Sequence, residues 1–257
     1  MLERAREIYR RSKKRNDNFW TEWISRPPAA LVVQLLEPTP LTPNQVTFLS
    51  LGAFVAAMAV LLAWPTHLGL VVVFCLTQFS YILDCVDGQL ARLKSMSSPA
   101  GALLDFLMDE IKAFLLVGGV AARLWLTSGA TWWLLVGIGG LVVVATGIAL
   151  TTFMRRPEYL EAVGAPPLAP ATDRGGHAPR SLSPVALVEA AGRYALHYPS
   201  WIIWPVVFDR LDWFLYIYLG AHFLYLGRAS LTVLLKLGRP ARKAAAPTVP
   251  TTSGEAS

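Results

Sequence analysis

The feature that most constrains this chain is a long uncharged apolar run near its N-terminus. Residues 46–64 read VTFLSLGAFVAAMAVLLAW and contain no charged side chain. A helix rises about 1.5 Å per residue, so this run crosses a hydrocarbon core about 30 Å thick. The composition agrees, since 54% of the residues are hydrophobic, 16% are charged and the mean hydropathy is +0.45. The sequence therefore predicts an all-α, polytopic integral membrane protein.

Further apolar stretches bring the number of predicted transmembrane helices to six. The second and third flank an acidic hairpin within residues 84–110, and the fourth is free of charge. The fifth is interrupted by charged residues and two prolines. In chain order, the predicted spans cover residues 46–64, about 69 to the hairpin, the hairpin to about 126, 132–153, about 185–207 and about 211–236.

The N-terminal segment MLERAREIYRRSKKR is rich in arginine and lysine. Its spacing predicts a basic amphipathic helix, with Leu2, Ala5, Ile8 and Tyr9 on one side, that lies on an anionic lipid surface. A solvated basic tail is the alternative. The predicted divisions of the chain are a basic amphipathic and juxtamembrane segment (1–40), the six-helix membrane domain (41–238), which includes a Pro/Gly/Ala-rich loop (157–184), and a disordered tail (239–257).

The distribution of basic residues predicts how the chain is oriented in the membrane. The net charge is +6, and with six spans the basic clusters all fall on one side, which the positive-inside rule makes cytoplasmic. This pattern indicates contact with an anionic lipid surface and no nucleic-acid partner. Both termini and the acidic hairpin are thus expected in the cytoplasm of a cell with a prokaryotic-type inner or cell membrane. The opposite interface is predicted to carry an aromatic belt of Trp64, Trp125, Trp132, Trp133, Trp204 and Trp213.

The hairpin carries two pairs of aspartates at helical spacing. Asp84 and Asp87 are three residues apart, so they lie about 60° apart around a helix, and Asp105 and Asp109, four apart, lie about 40° apart. If the two helices pack side by side, all four carboxylates converge and repel one another unless cations neutralise them. Oxygen ligands of this kind suit Mg²⁺, Mn²⁺ or Ca²⁺. Two divalent ions would balance the four charges.

The residues between the aspartates favour a diphosphate ligand. Gly88 and Gly101 lack side chains next to the acidic positions, so a bulky ligand can approach the backbone. Ala91 is small, and Arg92 presents a planar fork that matches phosphate oxygens. Divalent metal, arginine and small residues together describe a site for a metal-bridged diphosphate.

The same residues carry a resemblance to a known family. The hairpin matches, in every letter and spacing, the signature D-x2-D-G-x2-A-R-x8-G-x3-D-x3-D of the CDP-alcohol phosphotransferases, also called CDP-alcohol phosphatidyltransferases. The stretch LTPNQVT at 41–47 is similar to the segment that precedes the first span in that family. The matching residues are Asp84, Asp87, Gly88, Ala91, Arg92, Gly101, Asp105 and Asp109.

The resemblance implies roles for individual residues. Asp84, Asp87 and Asp105 would be ligands of Mg²⁺ or Mn²⁺, and Asp109 would be both a ligand and the general base. The acceptor hydroxyl would attack the β-phosphorus of the CDP-linked substrate, with release of CMP. A homodimer is also expected from the resemblance. The residues implied to contact CDP are Gly88, Ala91, Arg92 and Ser98, with Asn44 and Thr47 as further members.

Residues for the acceptor alcohol are less defined. Arg155, Arg156 and Arg193 would suit an anionic acceptor if they face the aspartates. Alternatively, Arg155 and Arg156 anchor the topology, and Arg193 is neutralised by Glu189 one turn before it. Lys112 is predicted either to reach a phosphate or to relieve repulsion among the carboxylates.

Three functions are compatible with these features. The first is transfer of the phosphatidyl group of CDP-diacylglycerol to a small polar alcohol, possibly an anionic one such as glycerol 3-phosphate or inositol phosphate, in phospholipid synthesis. The second reverses the roles, with a CDP-linked polar alcohol donated to a lipid or inositol-phosphate hydroxyl. A cation or proton transporter is the rival from another class, because intramembrane acids can carry ions. A transporter, however, predicts acids near the bilayer midplane, and these lie at a predicted helix end.

Overall fold

The computed structural model describes residues 2–12, 19–165 and 184–237 of the chain. Within these ranges the secondary structure is helical, with a π-helical stretch at Thr21–Ser25, a 3₁₀ turn at Tyr198–Ser200 and no β-strand. The predicted tail (239–257) and most of the predicted loop (157–184) lie outside the described residues. The α-helices are α1 (Leu2–Ser12), α2 (Arg26–Leu36), α3 (Pro43–Ala63), α4 (His67–Leu93), α5 (Pro99–Ser128), α6 (Trp132–Met154), α7 (Pro157–Ala162), α8 (Pro184–Leu196), α9 (Ile203–Val207) and α10 (Leu211–Leu237).

Local sequence fixes where the central helices begin. Thr42 and Gln45 form a capping box at the start of α3, in which each side chain bonds the other's backbone N–H. The Thr66 hydroxyl accepts a hydrogen bond from the Gly69 N–H at the start of α4, and Ser98 does the same for Gly101 at the start of α5. These caps place the aspartates in the last turns of α4 and the first turns of α5.

Helix α3 organises the packing of the bundle. It packs closely against both α4 and α5, whereas close backbone contact between α4 and α5 is sparse in the described part of the chain. Helix α6 packs on α5, and α10 packs on α6. The central core contains Phe54 of α3, Leu70 of α4, Leu116 of α5, Val144 of α6 and Phe214 of α10. The two aspartate helices therefore meet mainly through their side chains, while α3 packs against each of them.

Helix α1 docks onto the protein. Ala5 and Ile8 are buried, and Ile8 belongs to a second apolar cluster with Val33 of α2 and Val86 and Leu90 of α4. Two residues of the predicted lipid-facing side therefore pack inside the protein, because α2 and α4 offer them an apolar surface. Contact between the basic outer face of α1 and a lipid surface stays a prediction.

Among the described residues, three helices are long and apolar enough to cross a membrane, namely α3, α4 and α6. The six predicted spans are thus not confirmed as a set. The fifth, at 185–207, is not one helix: α8 ends at Leu196, and the 3₁₀ turn and α9 follow. Pro199 and Pro205 cannot donate a backbone hydrogen bond, which explains why a continuous helix does not form there. The predicted loop is also partly helical, since it begins with α7.

Hydrogen bonds attach the broken segment to α4. Tyr81 of α4 bonds His197 Nε2 at 2.8 Å, and His197 Nδ1 lies 2.9 Å from the Ser200 hydroxyl. Gln78 donates to the Pro199 carbonyl at 3.0 Å, and His67 Nε2 lies 2.9 Å from the Val206 carbonyl. Polar groups freed where the helix breaks therefore find partners on α4.

Close packing of α6 on α5 yields a stability prediction. A β-carbon added at Gly137 would lie 2.7 Å from Cβ of Ala121, which is fixed to the α5 backbone, so Gly137→Ala must push the helices apart. We expect the free energy of unfolding to fall by about 1–3 kcal/mol, the usual cost of overpacking. Thermal unfolding in detergent measures this.

Gly139→Ala is the matched control, because a β-carbon there meets nothing within 4 Å. It should be neutral or stabilise the helix by up to about 1 kcal/mol. Equal melting temperatures for the two variants would contradict the close contact between α5 and α6.

Candidate active site

Three of the four predicted metal ligands meet at one point. Asp84 of α4 and Asp105 and Asp109 of α5 each offer a carboxylate oxygen, and these oxygens all lie within 4.8 Å of one another. The convergence is across two helices, so it depends on the tertiary structure and on the spacing within each helix. Hard oxygen donors in such a group suit a divalent cation such as Mg²⁺, Mn²⁺ or Ca²⁺.

Lys112 joins the two helices at this cluster. Its Nζ lies 2.6 Å from Asp84 Oδ1 and 3.2 Å from Asp109 Oδ1. The lysine side chain is 4% exposed, that of Asp84 16% and that of Asp109 56%. Lys112 was predicted either to reach a phosphate or to relieve repulsion among the carboxylates. The contacts with Asp84 and Asp109 are those that the second role requires. Asp109 is the member of this group that most faces the outside of the protein.

Asp87 is buried and turned toward α3. Its Oδ2 accepts a hydrogen bond of 2.6 Å from the Thr47 hydroxyl, which also reaches the Pro43 carbonyl at 3.2 Å. The structure therefore brings together three aspartates and holds the fourth beside them through a neighbouring helix. Of the four carboxylates predicted to converge, Asp87 is the one that accepts a hydrogen bond from Thr47.

Asn44 and Ser98 meet at Gly101. A β-carbon added at Gly101 would lie 3.2 Å from Ser98 Oγ and 3.5 Å from Asn44 Oδ1. Glycine at this position lets the start of α3 and the start of α5 approach closely. Both residues predicted from LTPNQVT, Asn44 and Thr47, thus lie against the signature residues, which agrees with their proposed contribution to one site.

Arg92 lies over the backbone at Gly88. A β-carbon added at Gly88 would sit 3.5 Å from Arg92 Nη1 and 3.6 Å from Nη2. Arg92 Nε donates a hydrogen bond of 2.8 Å to the carbonyl of Ser12, the last residue of α1. Ala91 precedes the arginine and is half-buried. The arginine fork is therefore held over Gly88, the residue after Asp87, at the cytoplasmic end predicted for α4.

The residues predicted for the acceptor occupy different places. The Arg155 guanidinium stacks over the Phe106 ring at 4.7 Å, on the face of α5 next to the aspartates. Arg156 is exposed at the start of α7, and Arg193 is exposed on α8. The description of α8 does not extend to the side chain of Glu189. An acceptor role for these arginines stays a prediction.

A polar network next to the cluster was not predicted as part of the site. The Tyr81 hydroxyl lies 2.6 Å from the Thr21 hydroxyl as well as 2.8 Å from His197 Nε2. Tyr81 is three residues before Asp84, so the two share a helix face. The spacing of Tyr81 and Asp84 could have indicated that Tyr81 lies near the cluster. The hydrogen-bond partners of Tyr81, however, come from the π-helical stretch and from the broken fifth segment, and no sequence pattern connects these two segments to α4.

The charge balance of the site fits a bound cation. Lys112 supplies one positive charge against the carboxylates of Asp84, Asp87, Asp105 and Asp109, and like charges at this separation repel strongly. The groups that Asp84, Asp105 and Asp109 offer to a metal are carboxylate oxygens. The aspartates could therefore hold a divalent metal ion, and Asp84, Asp105 and Asp109 are already grouped to do so.

Comparison with known proteins agrees with this geometry. The pattern of the CDP-alcohol phosphatidyltransferase family matches residues 40–209, which include the aspartate cluster and the α3 residues beside it. A protein of Rubrobacter xylanophilus named "Bifunctional IPC transferase and DIPP synthase" is 37% identical over 83 residues. That match spans 32% of this chain and only 18% of the relative. Because the family pattern covers most of the chain, from the start of α3 through α9, this protein belongs to the CDP-alcohol phosphatidyltransferase family.

Proposed function

We propose that the protein transfers the phosphatidyl group of CDP-diacylglycerol to the hydroxyl of a small polar alcohol and releases CMP. Family membership supports a transferase of phosphorus-containing groups. The observation that carries the proposal is the meeting of Asp84, Asp105 and Asp109 at a point where two helices approach through α3. The apolar helices α3, α4 and α6 support a reaction at a membrane surface.

Asp109 is the proposed general base. Its carboxylate is the most exposed of the three clustered aspartates, so it is the one that a substrate hydroxyl can reach. In the proposed step the acceptor oxygen bonds to the β-phosphorus, the bond from that phosphorus to the CMP oxygen breaks, and Asp109 takes the hydroxyl proton. The greater exposure of Asp109 supports its assignment as the base, which the spacing alone does not provide.

The other signature residues are proposed to bind the donor. Asp84, Asp87 and Asp105, with Asp109, would hold Mg²⁺ or Mn²⁺, two ions by charge balance. Such ions neutralise charge on the transferred phosphate and on the leaving group. The contacts proposed for CDP come from Asn44, Thr47, Gly88, Ala91, Arg92 and Ser98.

The acceptor and the orientation complete the proposal. Arg155, Arg156 and Arg193 would favour an anionic acceptor such as glycerol 3-phosphate or inositol phosphate. Arg155 is the best placed, because it stacks on Phe106, the neighbour of Asp105. We further propose that the site faces the cytoplasm, as the positive-inside rule indicates, and that the protein is a homodimer.

The proposal predicts acceptor-dependent release of CMP. Purified protein with Mg²⁺ or Mn²⁺ and CDP-diacylglycerol is assayed against glycerol 3-phosphate, inositol phosphate, inositol and serine. Asp109→Asn should lower the rate by about a hundredfold or more, because it removes a general base and a ligand together. Glu110→Gln is the matched control, since it removes the same charge one residue along α5, outside the cluster, and should retain activity.

Each other outcome points to a different function. If CMP is released only from CDP-linked polar alcohols, the donor is a CDP-linked polar alcohol and not CDP-diacylglycerol. Absence of CMP release from either donor class would contradict the transferase and favour a transporter or a scaffold. If Glu110→Gln also loses activity, CMP release depends on the negative charge of α5 in general and not on Asp109 in particular.

Lys112 gives a second prediction, on stability and metal binding. Lys112→Met removes the cation between Asp84 and Asp109. The free energy of unfolding of the metal-free protein should therefore fall by roughly 2–4 kcal/mol. This loss lies below the upper value for a fully buried ion pair, because Asp109 is partly exposed. Mg²⁺ or Mn²⁺ should then raise the variant's melting temperature more than that of the wild type, since a bound cation replaces the lost charge.

Lys112→Arg, which keeps the charge, is the control and should resemble the wild type in both measurements. Equal metal-induced shifts in the melting temperature for Lys112→Met and Lys112→Arg would contradict a charge-compensating role for Lys112.

A further inference from the structure

We infer that helix α1 positions the guanidinium of Arg92 for the nucleotide, through the backbone carbonyl of Ser12. The inference rests on the proposed function, because it takes Arg92 as a ligand of the CDP diphosphate. It assigns a role in donor binding to the N-terminal segment, which precedes residues 40–209 of the family match. Helix α1 and Arg92 are 80 residues apart in sequence, so only the fold connects them.

The contact is made at the end of α1. The Ser12 carbonyl accepts a hydrogen bond of 2.8 Å from Arg92 Nε and a longer one of 3.4 Å from Nη1 of the buried Arg26. The last carbonyls of a helix have no partner within the helix and carry its negative partial charge. A helix C-terminus is therefore a suitable acceptor for two arginines that would otherwise repel each other.

The position of α1 is fixed by packing. Ile8 is buried among Val33, Val86 and Leu90, and Ser12 itself is buried, with its hydroxyl donating 2.7 Å to the Ile8 carbonyl. Leu90 lies two residues before Arg92 on α4. The apolar contact and the polar contact therefore join α1 to the same turn of α4, and release of the first must disturb the second.

The consequence for the nucleotide follows from the geometry of arginine. With Nε bound to Ser12, the two Nη atoms lie over Gly88, next to Asp87. A free arginine side chain loses considerable rotamer entropy when it binds a phosphate, and a preformed fork loses less. Docked α1 thus prepares Arg92 to make a bidentate contact, and release of α1 removes the hydrogen bond from Arg92 to Ser12.

A double-mutant cycle on CDP binding tests this inference. The full-length protein in neutral detergent with Mg²⁺ is titrated with CDP as wild type, Ile8→Asp, Arg92→Ala and the double variant. Ile8→Asp places a charge in the apolar cluster and should weaken CDP binding roughly tenfold, the effect expected for one hydrogen bond to a charged group. In the Arg92→Ala background the same change should have little further effect, because the group that α1 positions is gone.

Two controls separate positioning from general damage. Arg10→Asp introduces the same residue on the exposed face of α1 and should leave CDP binding unchanged. Ile8→Ala, a milder change, should weaken CDP binding in the same direction if Ile8→Asp does not fold. Mn²⁺ binding, which depends on the aspartates, should stay the same in all α1 variants.

The outcomes distinguish the inference from the proposed function. Additive losses in the double variant would overturn the inference, since α1 would then act independently of Arg92. Loss of Mn²⁺ binding in Ile8→Asp and Ile8→Ala would also overturn it, because α1 would then support the whole site. Absence of CDP binding by the wild type would instead overturn the proposed function, and the inference with it.

Discussion

Repulsion among clustered carboxylates is the constraint on which this structure depends. Asp84, Asp105 and Asp109 lie close together at the end of two helices that make little direct backbone contact. Lys112 bridges Asp84 and Asp109, so a cation of the chain offsets part of this repulsion. A buried lysine of this kind is costly to desolvate and is stable because two carboxylates surround it. The same arrangement leaves excess negative charge, which suits a divalent metal ion.

Helix α3 holds the two helices that carry the clustered carboxylates. It packs on both aspartate helices, so it fixes the gap between them. Its first turns also supply Thr47, which bonds Asp87, and Asn44, which lies against Gly101. The capping box of Thr42 and Gln45 sets where those turns begin. Packing and chemistry are thus combined in one helix, and α1 adds a second external support through the Ser12 carbonyl.

Much of the architecture could be predicted from apolar length, but not all of it. The uncharged runs at 46–64 and 132–153 became α3 and α6, because a run without charges has few alternatives to a membrane-spanning helix. The fifth span failed because Pro199 and Pro205 break the helix, and polar contacts with α4 compensate for the lost backbone bonds. Ala5 and Ile8 of the predicted apolar side of α1 are buried, yet they pack against the protein, since periodicity identifies an apolar face and not what covers it.

The amino-acid sequence alone establishes the residue types of the signature, their helical spacing and the family that they indicate. These properties are local, because spacing along a helix fixes which side chains share a face. The packing of the helices, in contrast, brings Lys112 of α5 to Asp84 of α4, turns Asp87 to Thr47 of α3, and sets the end of α1 against Arg92. Each of these contacts joins residues from different helices. Their distances depend on how the helices pack, and no spacing within one helix encodes that.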